Sequence, residues 1–259
     1  MKNIIALIIL FSSITFSQSW WTWYGEDASF NPSDIDGLIL HLDASVVSSI
    51  TTSDSLVSVW ADLSGSNNAT NTTVVEQPVY KLTGLNSLPT IQYKYDVVAD
   101  NRDYHYLPDF ISSLTSGEIF YVTKTLNDPT ANRDILGIAL MDSGSSTNYY
   151  PFTDGGVYMA FLCTARKTCG NPALDLTTPH ILNMRSASNS WTLDINITQQ
   201  YTTATNTVLA TKVPKIGGRG VGASYDGFIS EVIMFNRVLT ATERTQVKNY
   251  LKPKWQLVY

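Results

Sequence analysis

From residue 37 onward the chain is a series of short runs in which apolar side chains recur at every second position. Clusters of Gly, Asn, Asp and Ser separate the runs. That period belongs to strands, whose successive side chains point to opposite faces, and it confines the chain to an antiparallel β-fold. SWTLDINIT (190–198) is the clearest case, with Trp191, Leu193, Ile195 and Ile197 on one side and Thr192, Asp194, Asn196 and Thr198 on the other. GLILHLDAS (37–45) aligns Leu38, Leu40 and Leu42, and TIQYKY (90–95) aligns Ile91, Tyr93 and Tyr95. SLVSVWADLSG (55–65) ends in a turn, and EIFYVTKTL (118–126) follows Gly117. GFISEVIMFN (227–236) is apolar on both faces apart from Glu231, as expected of a strand covered on both sides. The expected class is all-β: a two-sheet antiparallel jelly-roll β-sandwich with its core between the sheets. One segment departs from period two. In LTATERTQVKNYLKPKW (239–255), Thr240 and Glu243 form a capping box, and Val247, Tyr250 and Leu251 make an apolar stripe before Pro253. This predicts a short C-terminal α-helix.

The first residues read as targeting. Lys2 precedes an apolar run from Ile4 to Phe16, and small residues at Thr15, Ser17 and Ser19 suit cleavage after Ser17 or Ser19. Thirteen residues at about 1.5 Å each fall short of a roughly 30 Å hydrocarbon core. The expected organisation is a signal peptide over 1–19, an aromatic segment over 20–36 that contains WWTWY, and one domain over 37–259. A secreted or cell-surface protein follows, attached to a membrane only if the signal stays uncleaved. In an oxidising compartment, Cys163 and Cys169 of CTARKTC are expected to form a local disulfide. Sequons stand at Asn68, Asn71 and Asn196. A net charge of −5 without a Lys/Arg cluster argues against nucleic acid as a partner.

Three blocks carry a resemblance: GLILHLDASVVSSI, VWADLSGSNNAT, and IGGRGVGASYDGFISEVIMFNRVLTATERTQVKNYLKPKW. The Leu-Asp-Ala-Ser strand end, the turn built on Trp60, Asp62, Ser64 and Gly65, and the Tyr225-Asp226-Gly227 turn lead the comparison. With the final Lys254-Trp255, they resemble the laminin-G-like branch of the concanavalin A-like lectin/glucanase superfamily. The resemblance covers both ends of 37–257 and implies a jelly roll. His41 and the inserted DVVADNRD before Tyr104 depart from its pattern.

The glucanases of the superfamily carry a Glu-x-Asp-x-x-Glu run, since retaining hydrolysis needs two carboxylates about 5–5.5 Å apart. Counted from Glu231, the completing positions are Ile233 and Asn236. Glu231 is therefore expected to be a structural carboxylate, with Arg219 or Arg237 as its partner, and the protein is expected not to be an enzyme. GGRGVG (217–222) reads as a turn between strands, and His41, His105 and His180 as ordinary surface or core residues. Asp96, Asp100, Asn101 and Asp103 supply the oxygen ligands that calcium takes, although a solvated acidic loop is the plainer reading. Sugars stack on aromatic rings and pair their hydroxyls with polar side chains. Two clusters offer both: Arg102, Asp103, Tyr104 and Tyr106 in one, and Asn148, Tyr149, Tyr150 and Asp154 in the other. The expected function is a carbohydrate-binding, lectin-like adhesion module with a glycan or polysaccharide partner. The alternatives are an attachment protein of a virion (such as a phage) or of a cell-surface assembly, with protein partners, and a divergent polysaccharide hydrolase.

Overall fold

The computed structural model describes residues 30–96, 101–128, 148–152, 154–209, 214–218 and 225–259. The signal-like run and WWTWY lie outside them. The first strands are β1 (Leu38–Asp43), β2 (Ile50–Ser53), β3 (Leu56–Trp60), β4 (Ala69–Thr70), β5 (Val79–Leu85) and β6 (Leu88–Tyr93). Then come β7 (Tyr95–Asp96), β8 (Asn101–Arg102), β9 (His105–Tyr106), β10 (Ser116–Thr125), β11 (Val157–Met159) and β12 (Lys167–Gly170). The chain closes with β13 (His180–Ala187), β14 (Ser190–Ile195), β15 (Thr198–Thr203), β16 (Lys215–Ile216), β17 (Gly227–Phe235) and the helix α1 (Ala241–Lys254).

The all-β class and the C-terminal helix are as expected. The division into two sheets is not seen in the hydrogen bonding. One antiparallel sheet runs β15-β14-β13-β10-β17-β6-β5-β3-β4-β9-β16, with β1 joined to β17 and β2 to β3. The pairs β11–β12 and β7–β8 are separate ribbons. Continuity past β5 depends on single pairs and two-residue strands, with Leu56 facing Val79 and Thr70 facing Tyr106.

The sheet forks at β17. One edge pairs with β10 along its length; the other pairs first with β6 (Gly227 to Ile229) and then with β1 (Glu231 to Phe235). Opposite β10 the register skips Ser230, a bulge that shifts the alternation by one residue. Ile229 therefore faces the core together with Val232 and Met234, while Glu231 lies outside that core cluster. All nine residues of β17 are buried, as its apolar sequence predicts.

The outer face of this sheet is covered by α1, and polar anchors hold the helix there. Arg244 of α1 grips Glu118 of β10 (Nε to Oε1 2.6 Å, Nη2 to Oε2 2.9 Å). Lys248 reaches Asp194 of β14 at 3.1 Å, beside Arg185 at 2.7 Å. Lys254 bridges Asp43 of β1 at 2.6 Å and Glu231 at 2.7 Å. Glu231 also accepts from His41 Nε2 (2.7 Å), Tyr250 Oη (3.0 Å) and Trp255 Nε1 (2.5 Å). The expected capping box at Thr240 and Glu243 is present, and Val247 and Leu251 are buried beneath the helix. Arg237 does not hold Glu231; its guanidinium forks onto Glu243 at 2.6 and 3.0 Å. Arg219 lies outside the described residues. Asp194 faces the helix and not solvent. Ile197, expected in the inward row, is 73% exposed because the strand ends at Ile195 and Asn196 turns with a positive φ.

The two sequence turns of the resemblance have a shared logic, a carboxylate that gathers backbone N–H groups. Asp43 Oδ1 accepts from the Ser45 N–H and hydroxyl at 2.8 and 2.6 Å. Asp62 accepts from the N–H groups of His41, Ser64 and Asn67 at 2.9 to 3.1 Å. The sequon amides are likewise engaged. Asn71 is buried and donates to the Tyr104 and Glu76 carbonyls, Asn68 accepts from Asp62, and Asn196 accepts from Ile181.

The expected disulfide is absent: Cys163 and Cys169 are free thiols, both buried. Both belong to the apolar core cluster, and Cys169 Sγ is committed to the Lys167 carbonyl at 3.5 Å. Burial pushes the thiols up to about 11 for Cys163 and about 12 for Cys169. Ellman's reagent at pH 8 should therefore count no fast thiol in the folded protein and two in 8 M urea, and dithiothreitol should leave the melting temperature unchanged. A reductant-dependent loss of stability would show that the pair is bridged.

Candidate functional site at the Asp103–Asp226 edge

The site forms where β6 ends. Past Tyr93 the backbone closes a reciprocal clamp, in which the Lys94 N–H donates to Asp103 Oδ2 at 2.9 Å and the Asp103 N–H donates to the Lys94 carbonyl at 3.1 Å. Register brings the second carboxylate alongside. Tyr93 pairs with Gly227 at the start of β17, so Asp226 stands opposite Lys94 and within electrostatic reach of Asp103. Asn127, just beyond β10, donates to Asp226 Oδ2 at 3.2 Å. Burial pushes Asp103 up to about 7, with Asp226 adding to the rise and the clamp and the Lys94 ammonium opposing it. Burial also raises Asp226, against its Asn127 hydrogen bond and Lys94. Near neutral pH the edge holds a carboxyl poised between its protonated and ionised forms, with a second carboxyl in electrostatic reach.

Behind this edge the interior is lined by tyrosines on polar partners. Tyr93 donates to His105 Nδ1 at 3.0 Å, and His105 Nε2–H donates to the Val57 carbonyl at 3.0 Å. Tyr150 donates to His180 Nε2 at 2.5 Å, and His180 Nδ1–H donates to the Thr178 carbonyl at 2.7 Å. Tyr225 donates to Thr123 Oγ1 at 2.6 Å, and the Thr123 hydroxyl in turn donates to the Phe228 carbonyl at 2.7 Å. These bonds fix opposite neutral tautomers for the two histidines. Gly217, at φ +85°, lets the chain pass against Tyr93; a Cβ there would run into the ring.

Burial lowers both histidines to about 4. Each is neutral in the fold and would protonate in the unfolded chain near 6.5. Their contribution is therefore complete above pH 6.5 and is lost as pH falls toward 4, at about 1.4 kcal/mol per pH unit each. Asp103 acts in the opposite sense: its folded value lies above its unfolded one, so its contribution grows as pH falls from 7 toward 3.8. Urea midpoints measured from pH 7.5 to 4.5 should decline with acid, and Asp103→Asn should steepen the decline by removing the opposing group. A flat profile in both proteins would contradict the burial of the histidines.

The structure separates the two clusters of expected ligand residues. Asp103 sits at the centre of the site, and Arg102 ends β8 beside it. Tyr104 is buried, with its hydroxyl on Glu76 at 2.8 Å, and packs edge to face on the exposed Tyr106 at 5.0 Å. The Lys215 ammonium lies over both rings, 4.8 and 4.7 Å from their centroids. In the other cluster, Asn148 is buried and accepts from the Ala160 N–H, and Tyr150 is buried on His180. Tyr149 packs on Phe152 and Tyr158 under the Arg166 guanidinium, and Asp154 is exposed, accepting from the Tyr158 hydroxyl at 2.7 Å. Of the expected calcium ligands, Asp100 lies outside the described residues. Asp96 and Asn101 are a paired couple of β7 and β8, and Asp103 Oδ2 is taken by the Lys94 N–H. Among the described residues, His41, Asp43 and Glu231 could hold a cation, but the Lys254 ammonium already fills that role.

No known family matches the sequence, and no curated protein matches it. Solved structures share the fold at low identity. Domain 4 of a GH43 extracellular arabinanase from Geobacillus stearothermophilus, in complex with arabinotriose, is similar over 83% of this chain and 98% of that one, at 11% identity and TM-score 0.56. A mutant GH54 α-l-arabinofuranosidase soaked with 4-nitrophenyl α-l-arabinofuranoside is similar over 76% of this chain and 50% of its own (10% identity, TM-score 0.53). The chain spans about a third of the length of Trypanosoma rangeli sialidase. The expectation of a protein that is not an enzyme is corrected by these neighbours, which are glycoside hydrolases or parts of them. The missing Glu-x-Asp-x-x-Glu run tested only for carboxylates on one strand. Asp103 and Asp226 come from separate segments brought together by the β6–β17 register.

Proposed function

We propose that the protein is a secreted or surface-exposed carbohydrate-active protein, a divergent polysaccharide hydrolase on a concanavalin A-like jelly roll. The observation that carries this reading is the Asp103–Asp226 edge. Burial lifts one carboxyl to about 7, so that it can carry a proton near neutral pH, and a second lies in electrostatic reach, with the Tyr104–Tyr106 pair close by along the chain. Asp103 would protonate the departing glycosidic oxygen, and Asp226 would supply the carboxylate that acts on the sugar carbon or on water. Tyr106, 40% exposed, would offer a ring edge to a sugar. The fold shared with an arabinanase domain and an arabinofuranosidase makes arabinose-containing polysaccharides the first substrates to try.

The test uses protein from Gln18 onward, incubated with arabinan, arabinoxylan, xylan and β-glucans while binding and reducing-sugar release are followed together. Saturable binding with release that disappears in Asp103→Asn is the expected result. Binding without release from any of them would overturn the hydrolase reading.

A further inference from the structure

The loop from Asn171 to Thr177, between β12 and β13, walls a surface cleft of about 420 Å³ that Asp128 also lines. This lies within the size range of small-molecule sites. The lining divides by chemistry. Pro172, Ala173 and Leu174 give an apolar surface, and Asp128, Asn171, Asp175 and Thr177 give hydrogen-bonding groups. Both carboxylates are fixed in place. Asp128 Oδ2 accepts the Leu176 N–H at 2.9 Å, and Asp175 Oδ1 accepts the Thr177 N–H and hydroxyl at 2.9 and 2.7 Å. Among the described residues, each keeps its second oxygen for another donor. The Thr177 bonds hold the Asp175 carboxyl below its usual range, so it is ionised. Among the described residues, the lining contains no Lys, Arg or His. The cleft also adjoins the edge described above, since Asp128 follows Asn127, whose amide holds Asp226.

We propose that this cleft is a second saccharide subsite, built for a neutral or amino-bearing sugar of the same glycan that Asp103 and Asp226 engage, and closed to acidic sugars. The proposal rests on the carbohydrate reading of that edge. The C–H face of a sugar ring would lie on Pro172, Ala173 and Leu174, and its hydroxyls would donate to the free oxygens of Asp128 and Asp175. Two fixed negative charges, with no cation among the described lining residues, would repel a uronic or sialic acid carboxylate.

Calorimetric titration with arabinotriose, xylotriose, a glucosamine trisaccharide and trigalacturonate tests it. Ala173 and Asp175 are exposed, so Ala173→Trp and Asp175→Lys should fold, and their melting temperatures check that. At least one neutral or amino trisaccharide should bind, trigalacturonate should not, and Ala173→Trp should weaken the binding at least tenfold. Asp175→Lys should make trigalacturonate binding detectable. Binding that Ala173→Trp leaves unchanged, a preference for trigalacturonate, or no binding by any probe would overturn the subsite. Asp103→Asn in the same series separates this from the hydrolase reading. Release lost in Asp103→Asn with Ala173→Trp inert condemns only the subsite, and binding sensitive to Ala173→Trp without any release condemns only the hydrolysis.

Discussion

Replacing Lys254 with Met should lower stability by about 3–5 kcal/mol, read as a fall in the urea midpoint at pH 7. The substitution keeps most of the stem and removes the charge, so packing changes little. Asp43 and Glu231 are 3% and 1% exposed, and the Lys254 ammonium is the cation that touches both. Without it, two carboxylates stand side by side across a strand pair, Asp43 opposite Glu231, held by hydrogen bonds from Ser45, His41, Tyr250 and Trp255 but by no other Lys or Arg among the described residues. Burial alone would lower the ammonium's pKa, yet Glu231 and Asp43 hold it above its usual range, which marks how strongly the three groups depend on one another. Adding Glu231→Gln to Lys254→Met should recover part of the loss, because the orphaned charge is then gone. A loss below about 1 kcal/mol, the size of an exposed pair, would mean that solvent screens this anchor.

Asp103→Asn should cut sugar release by about 10²–10⁴-fold while leaving glycan binding within a few fold, since the amide keeps the shape and cannot donate the carboxyl proton. Activity in the parent should fall above pH 7 as Asp103 loses its proton. It should fall in acid as Asp226 becomes protonated, giving a bell-shaped profile. Lys94→Met should shift the alkaline limb to higher pH, because the ammonium opposes the rise of Asp103. If Asp103→Asn retains full release on every substrate that the parent cleaves, the proton donor lies elsewhere.

The parts of the fold legible in the sequence are those fixed by neighbours in sequence. Alternation marked β1, β6 and β14, apolar runs beside turn residues marked β10 and β17, and the Thr240–Glu243 box marked the start of α1, because each signal spans only a few residues. What was hidden depends on distant pairings. Asp194 reads as an outward polar residue on an alternating strand, and nothing within the strand says that Lys248, 54 positions away, will cover it. Glu118 meets Arg244 across 126 positions and Asp43 meets Lys254 across 211. The disulfide expectation failed for a related reason: a six-residue spacing fixes proximity along the chain but not the direction of a thiol, and both thiols joined the core. Of the site, Asp103 was legible as a polar residue in an aromatic cluster. Asp226 was visible as part of a turn, but its role comes from the β6–β17 register, and Lys94 and Asn127 carried no signal of their own.

Asp103 should titrate near neutral pH, far above an ordinary aspartate, at an edge that meets a glycan. A ¹³C NMR titration of the aspartate carboxyl carbons, with Asp103→Asn supplying the assignment, tests it most directly. The expected midpoint is about 7, moving when a bound trisaccharide excludes more water from the carboxyl. A midpoint near 4 that ignores every saccharide would contradict the account.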